Sequence, residues 1–242
     1  MFAEMDTGFH NQRGTIFEFE FVSGRSLVRQ FLAQFDAIYT LNQDLLLERQ
    51  YFNDGHCLIN PGRWSGWTIP GMPPLHNPAE AFTGERVIPA YKPSGQFELP
   101  TNMQPYFKLH GSANWRDENG RLVIALGGNK AGAIQASAVL RQYFERFNTD
   151  LSSGEARVMV IGYGFMDEHV NAVLVEATQR HNLKIFIVDP LGVEAAQENR
   201  TALIGRGPNR FQGSIIGASR RTLREILGAD QVEYAKVLRF FK

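Results

Sequence analysis

The order of apolar and polar positions in the last third of this chain predicts a parallel β-α-β unit. Residues 157–161 and 183–188 are apolar runs of strand length, and an amphipathic segment from Glu168 to about His181 lies between them. A glycine turn follows the first run and an acidic residue follows the second, as at the ends of buried parallel strands. This part of the sequence therefore indicates an α/β fold.

The rest of the pattern extends this prediction. Short apolar or alternating runs predict strands at 15–22, 36–40, 86–91, 106–109 and 121–126, and a helical turn is the alternative at 15–22. Apolar faces at helical spacing predict helices at 26–35, from 45 onward, and at 133–147, 193–200 and 219–227. Residues 117–120 have the composition of a hairpin turn, and residues 232–241 fit either a strand or a helix. We therefore predict a Rossmann-like, doubly wound, mostly parallel sheet.

Residues 52–105 differ from their surroundings. Glycine and proline interrupt this segment repeatedly, and Trp64 and Trp67 lie among them. It is long for a loop without structure, so we predict an insertion or a lid within the domain. The two tryptophans would line a ligand pocket or simply anchor the segment.

Composition narrows the class of protein. The 242 residues fit one domain, 1–242, and 43% of them are hydrophobic, which is enough for a full core. The net charge is zero, so we expect neither a nucleic-acid partner nor a membrane-surface partner. Cys57 is the single cysteine, which excludes a cysteine-based zinc site. No signal peptide or bilayer-length apolar run is found, and we expect a cytoplasmic protein without a metal.

Polar side chains follow two of the predicted strands. Asn42 and Asp44 come after the run at 36–40, and His110 comes after the run at 106–109, where Gly111 and Ser112 are expected to break the strand. An imidazole with a reference pKa of about 6.5 suits a general base. An asparagine amide both donates to and accepts from a water or a sugar hydroxyl. The structural alternatives are helix capping by Asn42 and Asp44 and a packed histidine at 110.

The β-α-β unit carries a second set of candidates. Gly162 and Gly164 form a tight turn whose N–H groups, with the following helix N-terminus, would favour a phosphate. Asp167 is placed to cap that helix, or to bind a metal with His169, and the cap is the favoured interpretation. Asp189 ends the next strand, where an acid can bond ribose hydroxyls. As alternatives, the glycines form a bare turn and Asp189 is an exposed turn residue.

Three motifs together resemble those of the sirtuin superfamily, in particular its zinc-free bacterial SIR2-like branch. They are Thr40-x-Asn42-x-Asp44, Lys108-Leu-His-Gly-Ser-x-x-Trp115 and Gly162-Tyr-Gly-Phe-x-Asp-x-His-Val-Asn171. The resemblance covers about residues 30–190. It implies NAD as substrate, cleavage of the glycosidic bond to nicotinamide, and no metal. It also implies catalytic roles for Asn42 and His110, and cofactor binding by Thr40, Asp44, Gly162, Tyr163, Gly164, Asp167 and Asp189.

The sequence departs from the sirtuin pattern at its N-terminal end. Sirtuins open with a strand and a Gly-Ala-Gly-x-Ser loop around the NAD diphosphate, and no such loop precedes Thr40. We expect the chain to begin after that element, which would leave an exposed sheet edge and favour a homo-oligomer. Two functions follow: an NAD-hydrolysing enzyme of the kind used in antiphage defence, or a shortened, non-catalytic SIR2-like module. The second would bind an ADP-ribose-type ligand or a protein partner.

Overall fold

The computed structural model describes residues 28–51, 63–72, 86–87, 97–197, 211–228 and 230–242. The chain divides into two compact units, Met1–Phe144 and Glu145–Lys242. The predicted strand at 15–22 and the region preceding residue 28 lie outside the described residues. The single domain over 1–242 and the insertion at 52–105 stay predictions.

The described part of the first unit contains two small sheets. Its strands are β1 (Ile38–Thr40), β2 (Gly66–Thr68), β3 (Arg86–Val87), β4 (Met103–Lys108), β5 (Gly111–Arg116) and β6 (Leu122–Ile124). One sheet has the order β1-β4-β2 and is entirely parallel. The other has the order β3-β5-β6, with β3 parallel and β6 antiparallel to β5. Residues 28–32 are helical, and α1 (Leu46–Tyr51) follows β1.

The second unit is a parallel β-α-β unit with one further strand. Its sheet has the order β7-β8-β9, formed by Arg157–Ile161, Lys184–Val188 and Ile215–Ser219. Two helices precede it in the chain, α2 (Lys130–Ala136) and α3 (Ala138–Leu151), and the boundary between the units falls within α3. The remaining helices are α4 (Glu168–Arg180), α5 (Leu223–Gly228) and α6 (Gln231–Leu238). Short 3-10 turns occupy Gly127–Asn129, Gly192–Ala196 and Arg239–Phe241.

Aromatic side chains form the core of the first unit around Tyr143. This residue has no exposed surface, and its hydroxyl donates to the Pro70 carbonyl oxygen at 2.6 Å. Its ring meets Phe107 edge-on at 5.0 Å and Trp115 at 6.3 Å. Tyr39 stacks on Phe107 at 4.8 Å, so the two registered strands β1 and β4 also pack through their side chains. This packing holds β1 and β4 together near their ends.

The α/β fold with mostly parallel, Rossmann-like sheets is confirmed. The strands predicted at 36–40, 86–91, 106–109 and 121–126 are present with shifted bounds. The helix predicted at 193–200 is instead a 3-10 turn over Gly192–Ala196 within the described residues. Residues 117–120 form the predicted turn between β5 and β6, and residues 231–238 are helical, which decides the open choice there. Within the described residues, no helix has both the length and the apolar character that crossing a bilayer requires.

Other details of the prediction differ from the structure. Gly111 and Ser112 do not end the sheet structure; they begin β5, because a positive φ at Gly111 turns the chain into a new strand. The helix predicted at 133–147 is two helices, separated at Ser137, whose backbone is extended. Residues 215–219 form a strand that the sequence pattern did not predict. A glycine inside a strand is a weak strand signal, and here the Phe186 ring occupies the space that a side chain at Gly217 would need.

Trp64 anchors the segment that contains it. Its indole N–H donates to the Ala33 carbonyl oxygen at 2.9 Å, and the Arg63 guanidinium lies 5.1 Å from its ring centroid. The anchoring role suggested for the tryptophans therefore has direct support at Trp64.

Gly111→Ala is expected to destabilise the first unit by more than Gly120→Ala does. Both glycines have a φ near +75°, but an added Cβ would lie 2.1 Å from the Val123 carbonyl oxygen at Gly111 and meet nothing within 4 Å at Gly120. Gly120→Ala should cost about 1–2 kcal/mol for the left-handed backbone alone. Gly111→Ala should add about 1–3 kcal/mol of overpacking. Urea unfolding measures both, and equal losses would show that the close contact is absent.

Candidate functional site

The candidate residues of the first unit follow the ends of two adjacent parallel strands. Thr40 and Lys108 are register partners and are the last residues of β1 and β4. Because parallel strands end at the same edge, Asn42 and Asp44 emerge beside His110. The edge position predicted for these residues is thus what the structure has. Their chemical roles stay predictions.

The segment that carries Asn42 is fixed by hydrogen bonds on both sides. The Asn42 N–H donates to Thr40 Oγ1 at 3.0 Å, and the Ala113 N–H donates to the Gln43 carbonyl oxygen at 2.8 Å. The Gln43 side-chain amide reaches the Ala125 carbonyl oxygen at 2.6 Å. The Asn42 side chain itself is exposed, so a fixed backbone presents this amide to solvent.

His110 is held through its main chain at the turn between β4 and β5. Its carbonyl oxygen accepts from the Ala125 N–H at 2.8 Å, and the preceding Leu109 N–H donates to the Thr40 carbonyl oxygen at 2.9 Å. The residue is 2% exposed. Ala125 therefore bonds both to His110 and to the Gln43 side chain, and links the histidine turn to the Asn42 segment.

Asp44 has a structural role of the kind that the sequence analysis gave as the alternative, at the start of a helix. Its Oδ1 accepts from the Leu46 N–H at 3.0 Å, at the start of α1. This bond supports the capping alternative for this oxygen. The cofactor-binding role of Asp44 and of Thr40 stays a prediction.

A buried ion pair lies beneath this edge, and the sequence reasoning did not identify it. Lys108 Nζ is 2.5 Å from Glu48 Oε1 and also donates to the Asp44 carbonyl oxygen. Burial lowers the pKa of Lys108, which Glu48 opposes, and burial raises the pKa of Glu48, which Lys108 opposes. Burial and then the Glu48 carboxylate raise the pKa of the Tyr106 hydroxyl. The signal in the sequence for a buried charge at this position was the lysine within the apolar run at 106–109.

The glycine turn of the second unit is tight, as predicted. It follows β7, and the Gly162 N–H donates to the Val188 carbonyl oxygen at 2.9 Å. Gly162 and Gly164 have φ values of +58° and +71°, and Phe165 has +56° although it carries a side chain. A non-glycine residue in this region costs about 1–3 kcal/mol and persists only where its surroundings hold it.

Asn171 provides that support. This buried residue of α4 donates from Nδ2 to the Phe165 carbonyl oxygen at 3.0 Å. The Tyr163 hydroxyl lies 3.0 Å from Asn171 Oδ1 and 2.8 Å from the Asp167 carbonyl oxygen, and these two acceptors share its single proton. The turn is therefore fixed to the first turns of α4. Asn171 closes the third sequence motif, but no site role was predicted for it.

Asp167 occupies the predicted N-cap position of α4, yet its side chain makes no capping hydrogen bond. Its carbonyl oxygen accepts from the Val170 and Asn171 N–H groups at 3.0 and 2.9 Å. The helix start thus depends on the Asp167 main chain, and the cap prediction is right in position but wrong for the carboxylate. Cofactor binding by Asp167, and the metal alternative with His169, stay predictions.

Asp189 follows β8 in an Asx turn. Its Oδ1 accepts from the Leu191 N–H at 2.9 Å, and its N–H donates to the Ser219 carbonyl oxygen at 3.0 Å. These bonds support the turn interpretation and leave the ribose contact a prediction. The candidate residues thus form two groups, one at the carboxyl ends of strands in each unit.

The comparison with protein families identifies the family of this chain. A sequence model of the SIR2-like domain matches residues 36–204 of the chain. The match includes all three motifs and every candidate site residue of both units. Proteins of this family use NAD. A comparison with curated proteins finds no match.

Asn171→Ala should destabilise the second unit by about 1–3 kcal/mol. The change removes the donor to the Phe165 carbonyl oxygen and a partner of the Tyr163 hydroxyl inside a buried region. Asn148→Ala, at an exposed position of α3, is the matched control and should stay within about 0.5 kcal/mol of the unchanged protein. Urea unfolding followed by fluorescence measures both. Equal stability of the two variants would mean that Asn171 does not support the turn.

Proposed function

Since this chain belongs to the SIR2-like domain family, we propose that it binds NAD and hydrolyses it to nicotinamide and ADP-ribose. The observation that carries the proposal is the placement of Asn42 and His110. Both follow adjacent parallel strands whose last residues, Thr40 and Lys108, are in register. Ligand sites of open α/β sheets lie at this edge.

The reaction needs few groups. Water attacks C1′ of the nicotinamide ribose, and the bonding electron pair leaves with the pyridine nitrogen, which becomes neutral. The transition state resembles an oxocarbenium ion, so positioning and electrostatic support supply most of the catalysis. We assign to His110 the acceptance of the water proton and to the Asn42 amide the orientation of the water or of a ribose hydroxyl.

The other candidates would bind the cofactor. The Gly162 and Gly164 turn offers backbone N–H groups to a phosphate, and Asp189 is suited to a ribose hydroxyl. Thr40, Asp44, Tyr163 and Asp167 complete the proposed set. No step of this mechanism uses a metal. Antiphage defence, a cytoplasmic location and homo-oligomer formation stay predictions.

The burial of His110 favours a second candidate function. Only 2% of the surface of His110 is exposed, so this residue has little contact with bulk water in this structure. A non-catalytic module that binds an ADP-ribose-type ligand or a protein partner would need no access to it.

Nicotinamide release from NAD, followed by HPLC, tests the proposal with matched variants. Asn42→Ala and His110→Ala should each lower the rate by about a hundredfold or more, the usual effect of losing acid–base or orienting groups. Asn119→Ala, at an exposed turn position, and His181→Ala, at the end of α4, serve as controls and should keep the rate of the unchanged protein.

The outcomes separate the two functions. Release of nicotinamide that both site variants retain would refute the roles given to Asn42 and His110. An unchanged protein that releases none but binds ADP-ribose in calorimetry would establish the non-catalytic module. If the protein neither releases nicotinamide nor binds ADP-ribose, both NAD hydrolysis and the binding of an ADP-ribose-type ligand are refuted.

A further inference from the structure

Lys108 is a charged residue in an unusual place. Its side chain has no exposed surface, and the side chain of its partner Glu48 is 3% exposed. Removing two charges from water is expensive, and apolar residues of similar volume are often as stable or more stable at such sites. Stability alone is therefore a weak reason for an ion pair here.

The contacts of Lys108 suggest a reason connected with the site. Its ammonium donates to the main-chain carbonyl oxygen of Asp44, in the segment that presents Asn42. Its own main chain ends β4, two residues before His110, and pairs in register with Thr40. One residue thus contacts the Asn42 segment with its side chain and leads into the histidine turn with its backbone.

Glu48 connects Lys108 to helix α1. The carboxylate lies on the first turn of α1, and Asp44 Oδ1 begins the same helix by accepting from the Leu46 N–H. The 2.5 Å bond from Lys108 to Glu48 therefore fixes the helix that follows the Asn42 segment. An ammonium that donates to two buried acceptors specifies position in a way that apolar packing does not.

We propose that Lys108 is a positioning residue: with Glu48, it sets where Asn42 lies relative to His110 during NAD hydrolysis. This inference rests on the proposed function. It goes beyond the family motifs, from which roles were predicted for Asn42 and His110 but none for Lys108 or Glu48.

The test replaces the pair and measures steady-state kinetics of nicotinamide release. Lys108→Met leaves Glu48 buried without its partner and risks a folding defect, so the decisive variant is Lys108→Met with Glu48→Leu. We expect it to keep a thermal midpoint close to that of the unchanged protein. Its kcat should fall by about tenfold to a hundredfold, with KM changed by less than about threefold, because a misplaced group affects the chemical step.

An exposed ion pair provides the matched control. Lys236 lies 2.7 Å from Glu233 on the surface of α6, and Lys236→Met removes a paired lysine far along the chain from the site. This variant should keep both kcat and KM. If the Lys108→Met/Glu48→Leu variant folds and keeps the kcat of the unchanged protein, the pair is only structural and the inference is overturned.

Hydrogen exchange separates failure of the inference from failure of the proposed function. The Asn42 and Leu46 amides are bonded to Thr40 Oγ1 and Asp44 Oδ1. In the double variant they should exchange faster by about tenfold, while amides of the β7–β8 ladder keep their rates. If the unchanged protein releases no nicotinamide, the proposed function fails. Unchanged exchange at Asn42 and Leu46 would then still overturn the positioning role.

Discussion

The parallel pairing of β1 with β4 is the constraint on which the first group of candidate residues depends. The register places Thr40 beside Lys108, so the segment after one strand and the turn after the other begin at the same edge. A slip of one residue would move every side chain of the strand to the opposite face. The stacked rings of Tyr39 and Phe107 oppose such a slip, because they are themselves register partners.

Hydrogen bonds then convert this shared edge into a fixed arrangement. Thr40, Gln43 and Asp44 each accept a hydrogen bond at the main-chain carbonyl from residues at 108–113. The segment that presents Asn42 is therefore held by the residues that surround His110. In the second unit hydrogen bonds also fix a segment after a strand. There the buried Asn171 side chain holds a glycine turn that contains Phe165, a residue with positive φ.

The sequence predicted the features that depend on neighbours along the chain. Strand ends, the glycine turn after β7 and the helix after Asp167 all have local signals in apolar period and turn residues. The contact between Lys108 and Glu48 joins residues 60 positions apart, and the lysine in the apolar run at 106–109 does not by itself indicate its partner. The strand β9 was missed for a related reason, since the space at Gly217 is explained only by the Phe186 ring of another strand.

The central claim is that Asn42 and His110 act together on NAD, and a double-mutant cycle on kcat/KM for nicotinamide release tests it most directly. Residues that act as a unit are strongly non-additive. The account predicts that Asn42→Ala/His110→Ala loses little more activity than the more damaging single variant. Losses that multiply, so that the double variant shows the product of the two single effects, would contradict a shared catalytic step.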